Sequence, residues 1–225
     1  MGIRQDSRAR IESQIIEIGR RHLSTDGAAG LSLRAIARDL GMVSSAVYRY
    51  VASRDDLLTL LLIDAFTELA DTVDEACRAA DPDWRAQLSA VAHAARRWAL
   101  GQPACWALLY GSPVPGYHAP RERTVGPGTR VIGTLFGIVD AAVAERGNIT
   151  ALPVSEPLSS DFDRLRAEFD VAMDDAALTR CFLLWAALIG AISLEVFGQY
   201  GADTLTDPAM VFDAQVRLLA EMLSQ

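Results

Sequence analysis

Apolar residues recur three or four positions apart along most of the chain, without sustained alternation of apolar and polar residues. This spacing places side chains on one face of an α-helix, whereas alternation is typical of a β-strand. Ile11, Ile15 and Ile18 show it in the first predicted helix, residues 7–23. The sequence therefore predicts an all-α fold. Further helices are expected over residues 32–40, 44–50, 54–79, 82–100 (capped by Asp81), 103–110, 129–146, 174–200 and 208–223, with loops over 111–128 and 147–160.

Composition and cysteine spacing argue against several classes of protein. Hydrophobic residues make up 51% and charged residues 22%, which is typical of a globular chain. The first residues are too polar for a signal peptide, and the longest apolar run, residues 182–194, is shorter than the roughly 20 residues that span a bilayer. Three widely separated cysteines favour neither a zinc site nor a disulfide framework. We therefore expect a soluble, cytoplasmic protein with no metal, no cofactor and no membrane partner.

Charge is unevenly distributed along the chain. The net charge is −8, yet residues 1–55 hold nine arginines against six acidic residues, which gives +3 and leaves −11 for the remainder. A locally basic surface attracts phosphates whatever the total charge. The N-terminal segment is therefore a candidate nucleic-acid interface.

The most informative segment is a pair of short predicted helices within residues 32–50. Ser32 can cap the first helix, and Gly41 suits the turn that ends it. Ile36 and Val47 supply the apolar contact between the helices, and Ala37 is small enough to allow close approach. Two short helices joined by a tight glycine-containing turn are typical of a helix-turn-helix. The side chains left exposed on its second helix are polar: Ser44, Ser45, Tyr48 and Arg49.

This segment resembles the N-terminal domain of TetR-family transcriptional regulators. That family's pattern runs Ser/Thr, Ile-Ala, Gly, Tyr-x-His-Phe and Ser-Lys-x-x-Leu. Tyr50-Val51 stands here in place of His-Phe, and Arg54 in place of the lysine. Val43 stands where a serine or threonine often caps the third helix, so we expect Ser44 to cap it and Ser45 to be the base contact. The matching residues are Ser32, Ile36-Ala37, Gly41, Tyr48 and the segment 53–57.

The resemblance implies a DNA-binding helix-turn-helix domain over residues 1–55 and a helical ligand-binding and dimerisation domain over residues 56–225. In that family the residues matching Tyr48 and Arg54 bind phosphates, and the start of the third helix reads bases. The implied contacts to double-stranded DNA are Ser32, Arg34, Ser44, Ser45, Ala46, Tyr48, Arg49 and Arg54.

Two segments of the second domain, residues 106–117 and 185–190, resemble a subset of the family named for a Trp-His-Gly stretch, with Ile189 at the histidine position. Small-molecule pockets in helical proteins are mostly apolar with a few polar groups. For each candidate, packing in the core is the alternative interpretation. The candidate ligand-binding residues are His93, Arg97, Trp98, Trp106, Tyr110, Tyr117, Phe136 and Trp185.

The last two predicted helices carry wide apolar faces. A helix that is apolar around most of its circumference needs burial on two sides. A two-fold interface with a second copy would provide the second side, and burial within one chain is the alternative. The faces comprise Leu184, Ala187, Leu188, Ala191 and Leu194, followed by Met210, Val211, Ala214, Leu218 and Met222.

These expectations describe a homodimeric regulator, by default a repressor, that binds a palindromic operator and is released by a small, largely apolar effector. An enzyme is the first alternative, but only three histidines occur and none has catalytic or metal-ligand spacing. The Gly126-Pro127-Gly128 turn lacks the preceding strand of a phosphate-binding loop. The second alternative is a helical adaptor without DNA affinity.

Overall fold

The computed structural model describes residues 3–146 and 154–224, and these ranges contain helices but no strand. The predicted all-α fold is confirmed. The helices are α1 (Ile3–Gly30), α2 (Leu33–Asp39), α3 (Ser44–Val47), α4 (Arg54–Ala79), α5 (Trp84–Gly101), α6 (Pro103–Tyr110), α7 (Arg121–Arg146), α8 (Leu158–Phe169), α9 (Asp175–Val196) and α10 (Pro208–Leu223).

So far as the chain is described, its residues group into two compact units. The first comprises Met1–Glu68 and Gly101–Gly128, and the second comprises Leu69–Leu100 and Thr129–Gln225. Helices α4 and α7 therefore contribute residues to both units. The predicted functional division at residue 55 does not coincide with this grouping and stays a prediction.

The first unit is organised around contacts of α1 with α2 and α6, and of α2 with α3. Ile15, Ile36 and Leu57 are fully buried in its core. Gly19 allows close approach of α1 and α4, because a Cβ there would lie 3.1 Å from a methyl carbon of Leu61. Gly27 interrupts α1 with a φ of 68°, a left-handed conformation that glycine adopts without strain.

The second unit includes α9 packed against both α8 and α10. Arg96 on α5 forms a two-pronged ion pair with Glu195 on α9, with N–O distances of 2.7 and 2.5 Å. The hydrogen bond from Arg96 to Glu195 raises the pKa of the guanidinium, which therefore stays charged. A group of phenylalanines from α7, α8 and α9 packs edge to face or stacked: Phe136, Phe162, Phe169 and Phe182.

Helix α9 is the only helix in the described ranges that is long and apolar enough, by length and composition, to cross a membrane. Its Leu178, Leu184 and Leu188 are buried against the rest of its own unit. Asp174 caps its first turn, and Glu195 near its end pairs with Arg96. Helix α9 is therefore buried on one side within its unit, while Leu183 and Leu194 on it are exposed.

Several predicted boundaries are wrong. Helix α5 begins at Trp84 and is capped by the Asp83 carboxylate, which accepts from the Ala86 N–H at 3.0 Å, so Asp81 is not the cap. Helix α7 begins at Arg121, inside the predicted loop 111–128, and contains Pro127. Helix α8 was not predicted at all and begins within the expected loop 147–160, of which residues 147–153 lie outside the described residues.

Candidate nucleic-acid interface

Helices α2 and α3 pack against each other as the sequence predicts. Ile36, Ala37 and Val47 are buried between them. Gly41 has a φ of 65° and makes the turn, while the Met42 N–H donates to the Ala37 carbonyl at 2.9 Å. This is the compact arrangement of a helix-turn-helix.

The opposite side of this pair is polar and open to solvent. Helix α3 ends at Val47, so the predicted helix 44–50 is too long, and Tyr48 and Arg49 follow its last turn. Tyr48 is 45% exposed, Ser45 and Arg49 are exposed, and Ser44 is half-buried. We call these side chains of residues 44–49 the polar face of α3. Arg34 on α2 is also exposed. A phenol, hydroxyls and guanidiniums on one rigid support suit phosphate oxygens and base edges.

The caps of these helices differ in strength. Ser32 caps α2 as predicted, and its hydroxyl accepts from the Ala35 N–H at 3.5 Å. The cap position of α3 is Val43, with no side-chain hydrogen bond, so the expectation that Ser44 caps this helix is wrong. Ala46, which the sequence placed among the DNA contacts, is buried at 9% exposure and supports α3 from the inner side.

Sequence reasoning missed a cap at the start of α4. The Ser53 hydroxyl accepts from the Asp56 N–H at 3.0 Å and donates to the Asp56 carboxylate at 2.9 Å. A serine followed three residues later by an acidic residue is a helix-start pattern, so the sequence did contain the signal. The cap fixes the residue at which the α3–α4 connection becomes helical.

Arg54, the first residue of α4, points back to the end of α1. Its Nη2 donates to the Ala28 carbonyl oxygen at 2.8 Å and lies 3.4 Å from the Ala29 carbonyl oxygen. Its Nη1 lies 3.9 Å from a carboxylate oxygen of Asp55. The predicted phosphate contact of this guanidinium stays a prediction.

Arg20 and His22 connect α1 to other helices of the first unit through carboxylates. Arg20 binds Asp64 at 2.6 Å and Glu68 at 2.5 Å, both on α4. Burial disfavours the Arg20 charge, but the hydrogen bond with Glu68 and the attraction of Asp64 raise its pKa overall. His22 lies 2.7 Å from an Asp39 carboxylate oxygen, and this hydrogen bond lowers the Asp39 pKa. The helices that support the polar face of α3 are thus joined by the ion pairs of Arg20 and by the hydrogen bond between His22 and Asp39.

Comparisons with known proteins agree with this geometry. The family described as Tetracyclin repressor-like, C-terminal domain, matches residues 88–219, more than half of the chain. An HTH-type transcriptional regulator of Mycobacterium tuberculosis is 59% identical over 227 residues, covering 100% of this chain and 97% of that regulator. A regulator of Mycobacterium bovis gives the same figures. The chain belongs to the TetR family.

Solved structures extend this assignment to the whole fold. The regulatory protein SCO4313 is 30% identical with a TM-score of 0.79, covering 98% of this chain and 100% of that one. FadR from Bacillus subtilis, solved in complex with stearoyl-CoA, is 14% identical with a TM-score of 0.64 over 92% of this chain and 96% of that one, which shows a shared fold. The protein is thus a transcriptional regulator of TetR type and not an enzyme.

Three of the predicted ligand-binding residues lie in the first unit of this TetR-family chain. Trp106 is fully buried and packs on Tyr110, with ring centroids 4.5 Å apart. The Phe66 ring lies edge to face with Tyr110, with ring centroids 6.4 Å apart, and burial raises the Tyr110 pKa to about 12. The Tyr117 hydroxyl lies 2.9 Å from the Thr59 hydroxyl, so each has a polar partner.

The other five predicted ligand-binding residues lie in the second unit, and their environments differ. Phe136 and Trp98 are buried, and the Trp98 indole N–H has no hydrogen-bond partner among the described residues. Trp185 is half-buried, and Arg97 is exposed. His93 faces α10, 3.5 Å from Asp213, in an open groove of about 440 Å³. The sequence-predicted set is therefore distributed between the two units, and its ligand-binding role stays a prediction.

Proposed function

We propose that this regulator is a homodimeric repressor that binds a palindromic operator and is released by a small, largely apolar molecule. The observation that carries the proposal is the exposed polar face of α3 above a buried apolar support. A helix pair that serves only to pack in a bundle has no need for a phenol, a hydroxyl and a guanidinium exposed together to water. A recognition helix that enters the major groove does.

In this proposal, some side chains around α3 contact bases and others contact phosphates. Ser45 and Arg49 reach base edges, while Tyr48 and Arg34 bind phosphates. Ser32 and Ala46 position the two helices through a cap and through packing. The side chains proposed to contact DNA are thus Arg34, Ser44, Ser45, Tyr48 and Arg49, with Ser32 and Ala46 supporting them.

The partner proposed for α9 and α10 is a second copy of the chain. Their outer faces expose large apolar side chains, and between them lies an open groove of about 430 Å³ that is lined almost entirely by apolar residues. Contiguous apolar surface of this kind marks an interaction site, and a palindrome requires two-fold symmetry in the protein that reads it. The exposed residues are Leu183, Leu194, Phe197, Met210 and Leu218.

The proposed effector acts by differential binding. A ligand that prefers one of two conformations shifts their populations, and the coupling to DNA release is typically about 1–3 kcal/mol. FadR, which shares the fold, holds stearoyl-CoA, a ligand with a long apolar chain. The candidate binding residues here are His93, Arg97, Trp98, Trp106, Tyr110, Tyr117, Phe136 and Trp185. A repressor of this type acts on cytoplasmic DNA.

Selection of bound sequences from a random library of DNA duplexes tests the proposal. The full chain is expected to enrich an inverted repeat whose half-sites lie about 10 base pairs apart, centre to centre. The double variant Tyr48→Ala, Arg49→Ala, which leaves the buried residues intact, is the matched control and should enrich nothing. Enrichment by both proteins, or by neither, would contradict the proposed role of α3.

A further inference from the structure

The guanidinium of Arg54 is committed to contacts within the protein. Its Nη2 bonds to the Ala28 carbonyl and approaches the Ala29 carbonyl, and its side chain is only 35% exposed. A phosphate ligand would have to compete with these acceptors. The position of Arg54 at the first residue of α4 therefore does not by itself define a phosphate contact.

The end of α1 leaves these two carbonyls available to such a donor. Ala28 and Ala29 lie in the last turn of α1, after the break at Gly27, and the last carbonyls of a helix have no partner within it. Ala28 is half-buried and Ala29 is exposed, and a charged donor forms a stronger hydrogen bond to such carbonyls than a neutral donor does. Arg54 supplies that donor from a helix 26 residues further along the chain.

These carbonyls immediately precede the helix-turn-helix. Leu31 and Leu33, on either side of the α2 cap, are buried, so apolar packing fixes the segment that leads from Ala29 into α2. The hydrogen bond from Arg54 to the Ala28 carbonyl connects the start of the same segment to the first turn of α4. Ser53 fixes that first turn in place.

We infer that Arg54 is a positioning residue: it locks the end of α1 to the start of α4 and thereby sets the orientation of α2 and α3 for DNA. The inference rests on the proposed DNA-binding function. Arg54 then increases DNA affinity by orienting α2 and α3, and not by neutralising a phosphate.

The dependence of DNA affinity on salt separates the two roles. Each phosphate neutralised by a cation contributes about 0.9 to the slope of log affinity against log salt concentration, because counterions are released. Arg54→Met keeps the length of the side chain but removes its charge and donors. We expect about a tenfold loss of affinity for the selected duplex, as for loss of a charged hydrogen bond, with an unchanged slope. Arg34→Ala, at an exposed arginine of the helix-turn-helix head (α1 to α3) that is proposed to bind a phosphate, should lower the slope by about 0.9.

Two further measurements separate positioning from other roles. Arg54→Lys keeps the charge but loses the planar fork, so it should also bind DNA several-fold more weakly. Hydrogen exchange of the DNA-free protein should be faster over residues 28–40 in both Arg54 variants, and Arg54→Lys carries the test if Arg54→Met does not fold. A phosphate contact would leave this exchange unchanged.

The inference is overturned if Arg54→Met lowers the salt slope by about 0.9 while Arg54→Lys binds like the wild type. It is also overturned if both variants lose thermal stability but retain full affinity at a temperature well below unfolding. Failure of the proposed function looks different, because the wild-type protein itself would then select no duplex and show no salt-dependent binding.

Discussion

The pairs α2–α3 and α9–α10 are built alike but face solvent with opposite chemistry. In each pair one side is buried, with Ile36 and Val47 in the first and Leu184 and Val216 in the second. The outer side of α3 presents polar and cationic groups. The outer sides of α9 and α10 present large apolar side chains, such as Met210, which is 68% exposed.

This difference indicates which partner each surface suits. A cationic polar face is solvated without a partner and gains most from an anionic polymer. An apolar face of several large side chains is costly in water and gains from burial against its own copy. The charge distribution agrees with this division, because residues 1–55 carry +3 and the rest of the chain −11.

The largest effect is expected at the apolar face. Met210→Glu together with Leu218→Glu should cost roughly 4 kcal/mol of dimerisation free energy, since truncated or charged hot spots are worth about 2–4 kcal/mol each and do not add fully. Light scattering should then show monomers at concentrations where the wild type is a dimer. Leu100→Glu, at a residue of α5 that is 40% exposed, is the control and should leave the dimer intact. Equal dissociation by the control would remove the distinction between the two faces.

Substitutions on the buried side of the α2–α3 pair should lower the free energy of unfolding. Ile36 is fully buried, so Ile36→Ala should lower the free energy of unfolding by about 3 kcal/mol through loss of burial and a cavity. Val43→Ala, at a residue that is 71% exposed, should change it by less than about 0.5 kcal/mol. Urea titration followed by circular dichroism measures both. Similar losses would mean that α2 and α3 have no apolar support of the kind described.

Substitutions on the polar face of α3 should weaken DNA binding and leave dimerisation and unfolding unchanged. Arg49→Ala should weaken operator binding by about 1–3 kcal/mol, with dimerisation and unfolding unchanged. Arg78→Ala is the matched control, because Arg78 is an exposed arginine in the last turn of α4. Fluorescence anisotropy with labelled duplex would show the difference. A loss of the same size in Arg78→Ala would indicate nonspecific attraction by charge.

The smallest effect is expected for acid at the pair formed by His22 and Asp39. The hydrogen bond from His22 lowers the pKa of Asp39 from its ordinary value of 3.8. A lowered folded-state pKa contributes stability that is present above pH 3.8 and is lost as the pH falls through the folded-state value. The stability difference between the wild type and Asp39→Asn should therefore be present at pH 7 and shrink at strongly acidic pH. A difference that is constant with pH would show that this pair contributes no ionic stability.

The head could be predicted from sequence because its determinants are local. Ser32, Gly41 and the apolar spacing of Ile36 and Val47 act within a few residues of one another, and the structure follows them. The same local signals were present but overlooked at Ser53 and in α8, where Leu158, Phe162, Leu165 and Phe169 recur at helical spacing. Their polar, proline-containing surroundings obscured them.

Other features depend on tertiary contacts that no spacing reveals. Pro127 predicts a loop, yet α7 continues through it. The neighbouring Gly128 lies close to Phe66, since a Cβ at Gly128 would be 3.5 Å from the Phe66 ring. The contact from Arg54 to Ala28 joins residues 26 positions apart. The candidate ligand residues were grouped by composition, and the structure distributes them between two compact units.

Cleavage of DNA from a probe placed on α3 tests the central claim most directly. An iron chelate attached at Ser45→Cys, in a Cys77→Ser background that leaves only the buried Cys105 and Cys181, should cut the selected duplex. The account predicts two groups of cuts about 10 base pairs apart, one from each subunit. Absence of localised cuts, or cutting at the same positions from a chelate at Cys77 in the wild-type protein, would contradict it.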